Sequence, residues 1–189
     1  MSATGVLLLG GLSRRFGSVK ALAQLGDETL AERGWRLLGE AFEHRLAVGK
    51  AADQLGLPFE IVDDGVPMRA PIAGVVGGLR AAETDIAVFL PVESPLVSPE
   101  SLRLLAESCV EAAVPSKAAL PAAYAKTALP LLDQRLAAGD FDLAGALPEL
   151  EARIVDVPED ELVTVNTERE LERLRGLVSA GDAGPDHFL

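Results

Sequence analysis

The sequence predicts an α/β protein whose mostly parallel sheet is covered by helices on both faces. Two observations carry this. The runs GVLLLG (5–10) and DIAVFLPV (85–92) are almost continuously apolar, as strands buried on both sides must be. Segments with apolar residues at helical spacing, such as ETLAERGWRLLGEAF (28–42), alternate with such runs. Hydrophobic residues make up 49 % of the 189-residue chain and aromatics only 4 %, so the core must be built from Leu, Val, Ile and Ala. That length predicts one domain, and no internal repeat or long linker argues for a second.

The elements follow in order. GVLLLG is the first strand, 28–42 the first helix, and HRLAV (44–48) and FEIV (59–62) are further strands. AGVVGGLRAA (73–82) is a helix after a Gly/Pro-rich turn. DIAVFLPV leads into SPESLRLLAESC (98–109), a helix with Ser98 as N-cap and Pro99 at its first position, where the missing N–H costs nothing. AAVP (112–115), LPAAY (120–124) and ARIVDV (152–157) are short strands around the helix KTALPLLDQRLAA (126–138), whose start Pro130 leaves open. In TERELERLRGL (167–177), Thr167 caps and Glu170 completes a capping box. Residues 1–178 are expected to form the domain and 179–189 a flexible tail.

Composition excludes several classes. A formal net charge of −12 argues against a general binder of nucleic acid or membrane surfaces, whose affinity comes from summed positive charge. With Cys109, His44 and His187 as the whole Cys and His inventory, no His/Cys zinc cluster can be assembled. Cys109 can form no internal disulfide and is expected as a buried helical thiol in reducing conditions. The N-terminal apolar run is too short for a signal peptide or a membrane span, so the expected compartment is the cytoplasm.

In parallel sheets of this kind ligands bind beyond the carboxyl ends of the strands. That selects the loops 10–20, 63–74 and 91–98 and the turn before Asn166. The first, within LLLGGLSRRFGSVKAL (7–22), is glycine-rich and densely positive. It fails as a Walker A loop at Ser18, as a dinucleotide fingerprint at Leu12 and as a hydrolase elbow at Arg15. What remains is simpler. Gly10 and Gly11 allow close backbone approach, Arg14 and Arg15 offer forked donors, and Lys20 adds a point charge, together a composition for gripping a triphosphate. A solvated basic turn is the plainer alternative.

This window resembles the signature loop of the nucleoside-triphosphate transferases, and within them most closely that of the molybdenum cofactor guanylyltransferases. Three further segments resemble that family's motifs in the same order: VDDGVPMRAPIAGVVGGL (62–79), FLPVESPLV (89–97) and VTVNTEREL (163–171). The resemblance spans 5–174. It implies a single-domain three-layer α/β/α sandwich, Rossmann-like, of nucleotide-diphospho-sugar transferase type. It implies transfer of GMP from GTP to molybdopterin, with release of pyrophosphate, Mg2+ or Mn2+ as cofactor, and molybdenum cofactor assembly proteins as candidate partners. Neither nucleic acid nor membrane is expected as a partner.

Carried onto this sequence, the resemblance gives Lys20 and Arg15 catalytic roles. It gives Leu9, Gly10, Gly11, Ser13, Arg14, Lys20, Asp64 and Glu93 contacts to the nucleotide. Glu93 becomes the metal ligand, with Asn166 as a second candidate. Plainer alternatives are a solvated turn carboxylate for Asp64 and a structural helix-entry residue for Asn166. The sequence departs from the family pattern at several points. Glu93 replaces an aspartate, Val19 an acidic residue and Ala70 a glycine. The asparagine often found after the second strand is missing from HRLAVGK, and LPAAYAK lacks a Gln/His-Pro pair. Two other readings therefore stay open: a CTP-dependent or sugar-phosphate nucleotidyltransferase, and a non-catalytic nucleotide-binding homologue in cofactor assembly.

Overall fold

The computed structural model describes residues 2–10, 19–116 and 118–181, the last five by backbone alone. Nine strands occur among them: β1 (Ala3–Leu8), β2 (Gln24–Leu25), β3 (Glu28–Thr29), β4 (His44–Gly49), β5 (Ile61–Asp63), β6 (Ile86–Pro91), β7 (Ala112–Pro115), β8 (Ala122–Ala125) and β9 (Arg153–Val155). The helices are α1 (Leu30–Ala41), α2 (Pro71–Ala81), α3 (Pro99–Ser108), α4 (Leu129–Ala137), α5 (Leu143–Ala146) and α6 (Glu168–Gly181). Seven strands form one sheet in the order β5-β4-β1-β6-β8-β7-β9, and β2 and β3 form a small hairpin. Every pairing in the main sheet is parallel except the two made by β8.

Alternation along β1 divides the core into two layers. Leu7 points with Val88 and Leu90 toward Leu30, Leu38, Leu102 and Leu171, which belong to α1, α3 and α6. Val6 and Leu8 point the other way, with Phe89 and Tyr124, onto Ile72, Val76, Leu132 and Leu143 of α2, α4 and α5. The three-layer α/β/α architecture expected from the sequence is therefore present. Burying both faces is what makes these strands apolar at successive positions rather than alternate ones.

Local signals account for most boundaries. Thr29 and Glu32 form a reciprocal capping box at the start of α1. Ser98 caps α3 by accepting from the Ser101 N–H at 3.1 Å, with Pro99 at the first position, as expected. Pro130 falls in the first turn of α4, after a 3-10 turn at Lys126–Ala128, so its missing donor is harmless. At α6 the expected box forms: Thr167 N–H donates to Glu170 Oε2 and Glu170 N–H to Thr167 Oγ1. Cys109 is buried just past the last turn of α3, and burial pushes its thiol up to about 11. The tail expected from residue 179 onward lies, from 182, outside the described residues.

Candidate active site

The parallel strands β5, β4, β1 and β6 all end on the same side, and the loops leaving them frame a cleft of about 420 Å³. Gly10 follows β1, Gly49 ends β4 with Lys50 just after it, Asp64 and Arg69 follow β5, and Glu93 and Ser94 follow β6. Ala70, Pro71 and Gly74 at the start of α2 and Thr164 before α6 complete that part of the wall. All four loops selected from the sequence therefore contribute.

The β1 turn is set by backbone geometry. Gly10 has φ +66°, a conformation other L residues rarely adopt, and open space lies where a Cβ would stand. Leu9 beneath it is buried, and its N–H is committed to the Val48 carbonyl at 3.0 Å. Its N–H is therefore spent inside the sheet rather than offered to a ligand. Gly11, Ser13, Arg14 and Arg15 lie outside the described residues.

Lys20, Glu93 and Asn166, distant in sequence, meet at one end. The Lys20 ammonium donates to Glu93 Oε2 at 3.0 Å and to Asn166 Oδ1 at 3.1 Å. The Lys20 side chain is only 8 % exposed, whereas that of Glu93 is 36 % exposed and faces the cleft. Two backbone bonds hold the β6 end in place: Ser94 N–H to Pro91 O, and Val165 N–H to Glu93 O at 2.8 Å. Asn166 is fixed from the other side, because its N–H donates to Glu170 Oε2 at 2.7 Å. That bond, with those from Thr167, holds the Glu170 carboxyl below its ordinary range.

Asp64 stands at the other end and is not a solvated turn carboxylate. It is buried, accepts from Lys50 Nζ at 2.5 Å and from the Val66 N–H at 3.2 Å, both through Oδ1. Its neighbour Asp63 is the turn residue: it accepts from the N–H groups of Ala51 and Gly65, which hold its carboxyl low. Arg69 makes two bonds to Asp53, at 2.9 and 2.6 Å, tying the loop after β4 to the loop before α2. Each cation in the described wall thus has a carboxylate partner.

Lys50 and Arg69 are not among the residues the motifs single out. Lys50 follows an apolar parallel strand, so the rule that selects the other loops also reaches it once the strand after α1 is counted.

An oxygen-only site suits a hard cation. Glu93 and Asn166 already place two oxygens around one positive charge, the Lys20 ammonium. Among the described residues no group of three or more His, Cys, Asp or Glu side chains could hold a metal unaided. Magnesium is usually held by one or two carboxylates together with water and substrate phosphates, and Glu93 offers one such carboxylate facing the cleft. The residues therefore fit the cation that the motifs imply.

A mostly parallel three-layer sheet with a glycine turn, a buried lysine and a cleft-facing carboxylate at its strand ends defines an α/β protein of the nucleotidyltransferase class. The chain belongs to the family of the MobA-like NTP transferase domain, whose sequence model matches residues 5–153. It is 32 % identical over 163 residues to a probable molybdenum cofactor guanylyltransferase of Chloroflexus aggregans, covering 79 % of this chain and 78 % of that one. It is 25 % identical to the molybdenum cofactor guanylyltransferase of Desulfosudis oleivorans, covering 94 % and 96 %. The molybdopterin-guanine dinucleotide biosynthesis protein A of Archaeoglobus fulgidus has the same fold, with a TM-score of 0.81, 22 % identity and coverage of 94 % and 99 %. No described helix is long and apolar enough to cross a membrane.

Proposed function

We propose that the chain transfers GMP from GTP to molybdopterin, forming the guanine dinucleotide cofactor and releasing pyrophosphate. The observation that carries this is the convergence of Lys20, Glu93 and Asn166 beside the Gly10 turn. The names of its relatives supply the base and the acceptor. In this reaction an oxygen of the acceptor phosphate attacks the α-phosphorus of GTP as the bond to the bridging oxygen breaks. Lys20 neutralises charge growing on the triphosphate, with Arg15 and Arg14 as further donors from the first loop. Glu93 and Asn166 would hold Mg2+ or Mn2+, which supplies Lewis-acid stabilisation of phosphate oxygens. Glu93 is longer than an aspartate by one C–C bond, about 1.5 Å, and its Oε2 accepts from Lys20 Nζ at 3.0 Å. The lone Cys109 suits a reducing compartment, and we place the reaction in the cytoplasm with cofactor assembly proteins as partners.

The test is direct: incubate the protein with each nucleoside triphosphate, Mg2+ and molybdopterin, and identify the product by mass. A guanine dinucleotide formed from GTP is expected. A product formed from CTP instead, or nucleotide binding without any product, overturns the reading.

A further inference from the structure

We infer that Glu161 is a positioning residue: its carboxylate joins the loop after β6 to the segment before α6, and so sets Glu93 and Asn166 at the spacing that seats the Lys20 ammonium between them. The inference rests on the nucleotide reading above and adds how two parts of its site, far apart in the chain, are kept in register.

The two parts come from different segments. Glu93 lies near the start of the loop 92–98 between β6 and α3, and Asn166 near the end of the stretch 156–167 between β9 and α6. They are stitched together at two points. Beside the site, the Val165 N–H donates to the Glu93 carbonyl at 2.8 Å. At the far end of the same loop, the Ser98 N–H donates to Glu161 Oε2 at 2.8 Å, across 63 positions. A single bond leaves two segments free to pivot about it, and a second one removes that freedom. The loop is tied in turn to α1, where Arg33 Nε donates to the Pro95 carbonyl at 2.8 Å.

Helix α3 is capped differently from α1 and α6. Those two close their own boxes, because Glu32 and Glu170 stand three residues after the capping threonines. In α3 the third residue is Ser101, buried and without a carboxylate, and the N–H of the capping Ser98 goes to Glu161 instead. A local cap has thereby become a link between the segments that carry Glu93 and Asn166. Glu161 is itself well placed. Its N–H closes a turn onto the Pro158 carbonyl at 3.1 Å, Leu162 next to it packs against the core, and Val157 and Val165 are buried on either side. A carboxylate at the start of α3 also complements the helix dipole. The two roles separate chemically. Complementing the dipole needs the charge, whereas spacing needs only an oxygen that accepts from Ser98.

The experiment compares Glu161→Gln with Glu161→Met, both neutral and close in size, of which only the first keeps an accepting oxygen. Three readouts run in parallel: steady-state kinetics with GTP and molybdopterin, the Asn166 side-chain amide signal in NMR spectra of the unliganded protein, and thermal melts. For Glu161→Met, kcat should fall by about tenfold or more with the KM for GTP within about threefold, the pattern of misplaced rather than missing groups. Its Asn166 amide signal should move. Glu161→Gln should restore both. Wild-type kcat with an unmoved Asn166 signal in Glu161→Met overturns the inference. Equal losses in the two variants overturn it as well, since the charge at α3 would then be what matters. Should Glu161→Met fail to fold, Glu161→Ala carries the same comparison at this half-buried position. A wild type inert toward every nucleoside triphosphate brings down the nucleotide reading itself. Glu161 is then judged by the Asn166 amide alone, and a signal identical in wild type and Glu161→Met overturns its role.

Discussion

Lys20 and Glu93, 73 positions apart, form an ion pair at 3.0 Å in which the cation is nearly buried and the carboxylate faces the cleft. Burying an ammonium is costly, and a partly exposed pair repays little in stability. Stability of the fold gives little reason for this pairing, and the proposed charge-neutralising role of Lys20 gives one.

Lys20→Ala is accordingly expected to lower GTP-dependent pyrophosphate release by about 10²–10³, the scale of losing one transition-state charge contact. Single-turnover kinetics with the acceptor present would measure it. Turnover within a factor of about three of wild type is incompatible with the role given to Lys20.

Metal dependence should run through the Glu93 carboxylate. Glu93→Gln keeps the size and loses the charge, and should weaken Mn2+ binding in the presence of GTP by about tenfold or more, read by paramagnetic resonance. Chelator in excess should stop turnover, and added Mg2+ should restore it. Full activity after verified metal removal would refute this part of the mechanism.

Gly77 of α2 packs against the site from behind. A Cβ there would stand 2.9 Å from the Asp64 Cα, a backbone atom that cannot yield cheaply. Gly77→Ala should therefore destabilise the domain by about 1–3 kcal/mol, the usual range for overpacking, and also weaken nucleotide binding by shifting Asp64. Gly78→Ala is the matched control, because its Cβ would meet the Phe89 ring at 2.6 Å and Val6 at 2.9 Å in the core. It should lower the melting temperature and leave nucleotide affinity alone. Equal effects on affinity in both variants would remove the link between Gly77 and Asp64.

Glu170 fixes Asn166 through its N–H, and that bond is the first cause of its lowered carboxyl. A carboxyl lowered on folding adds stability above its unfolded value, and loses it as pH falls through the folded one. Glu170→Ala should therefore melt lower than wild type at pH 7. The gap should close as the medium is acidified through the carboxylate range. A gap independent of pH would show that the charge of Glu170 is not what matters.

How much of this was legible beforehand differs by level. Strands such as β1 and β6 were readable because burial on both faces leaves continuous apolar runs. Caps at Ser98 and Thr167 were readable because they are local chemistry. The β2–β3 hairpin and the short helix α5 were not, since two-residue strands and a four-residue helix carry too few positions for any period. The motifs brought forward Lys20, Glu93, Asn166 and Asp64, and the fold brings the first three into contact. They were silent on Lys50 and Arg69, whose significance lies in the partners Asp64 and Asp53 that tertiary structure supplies. Leu9 shows the converse limit. A motif position says that a backbone is near the ligand, but only the sheet shows that its N–H is already taken by Val48.

The bond from Lys20 to Asn166 spans 146 positions. No early fragment of the chain can hold that constellation, because its members become neighbours only when the first strand, the sheet centre and the approach to the last helix have all docked. Ligand affinity is thus a readout of complete folding: a nascent or truncated chain that stops short of α6 should be blind to its substrate, and binding should appear all at once with the finished domain.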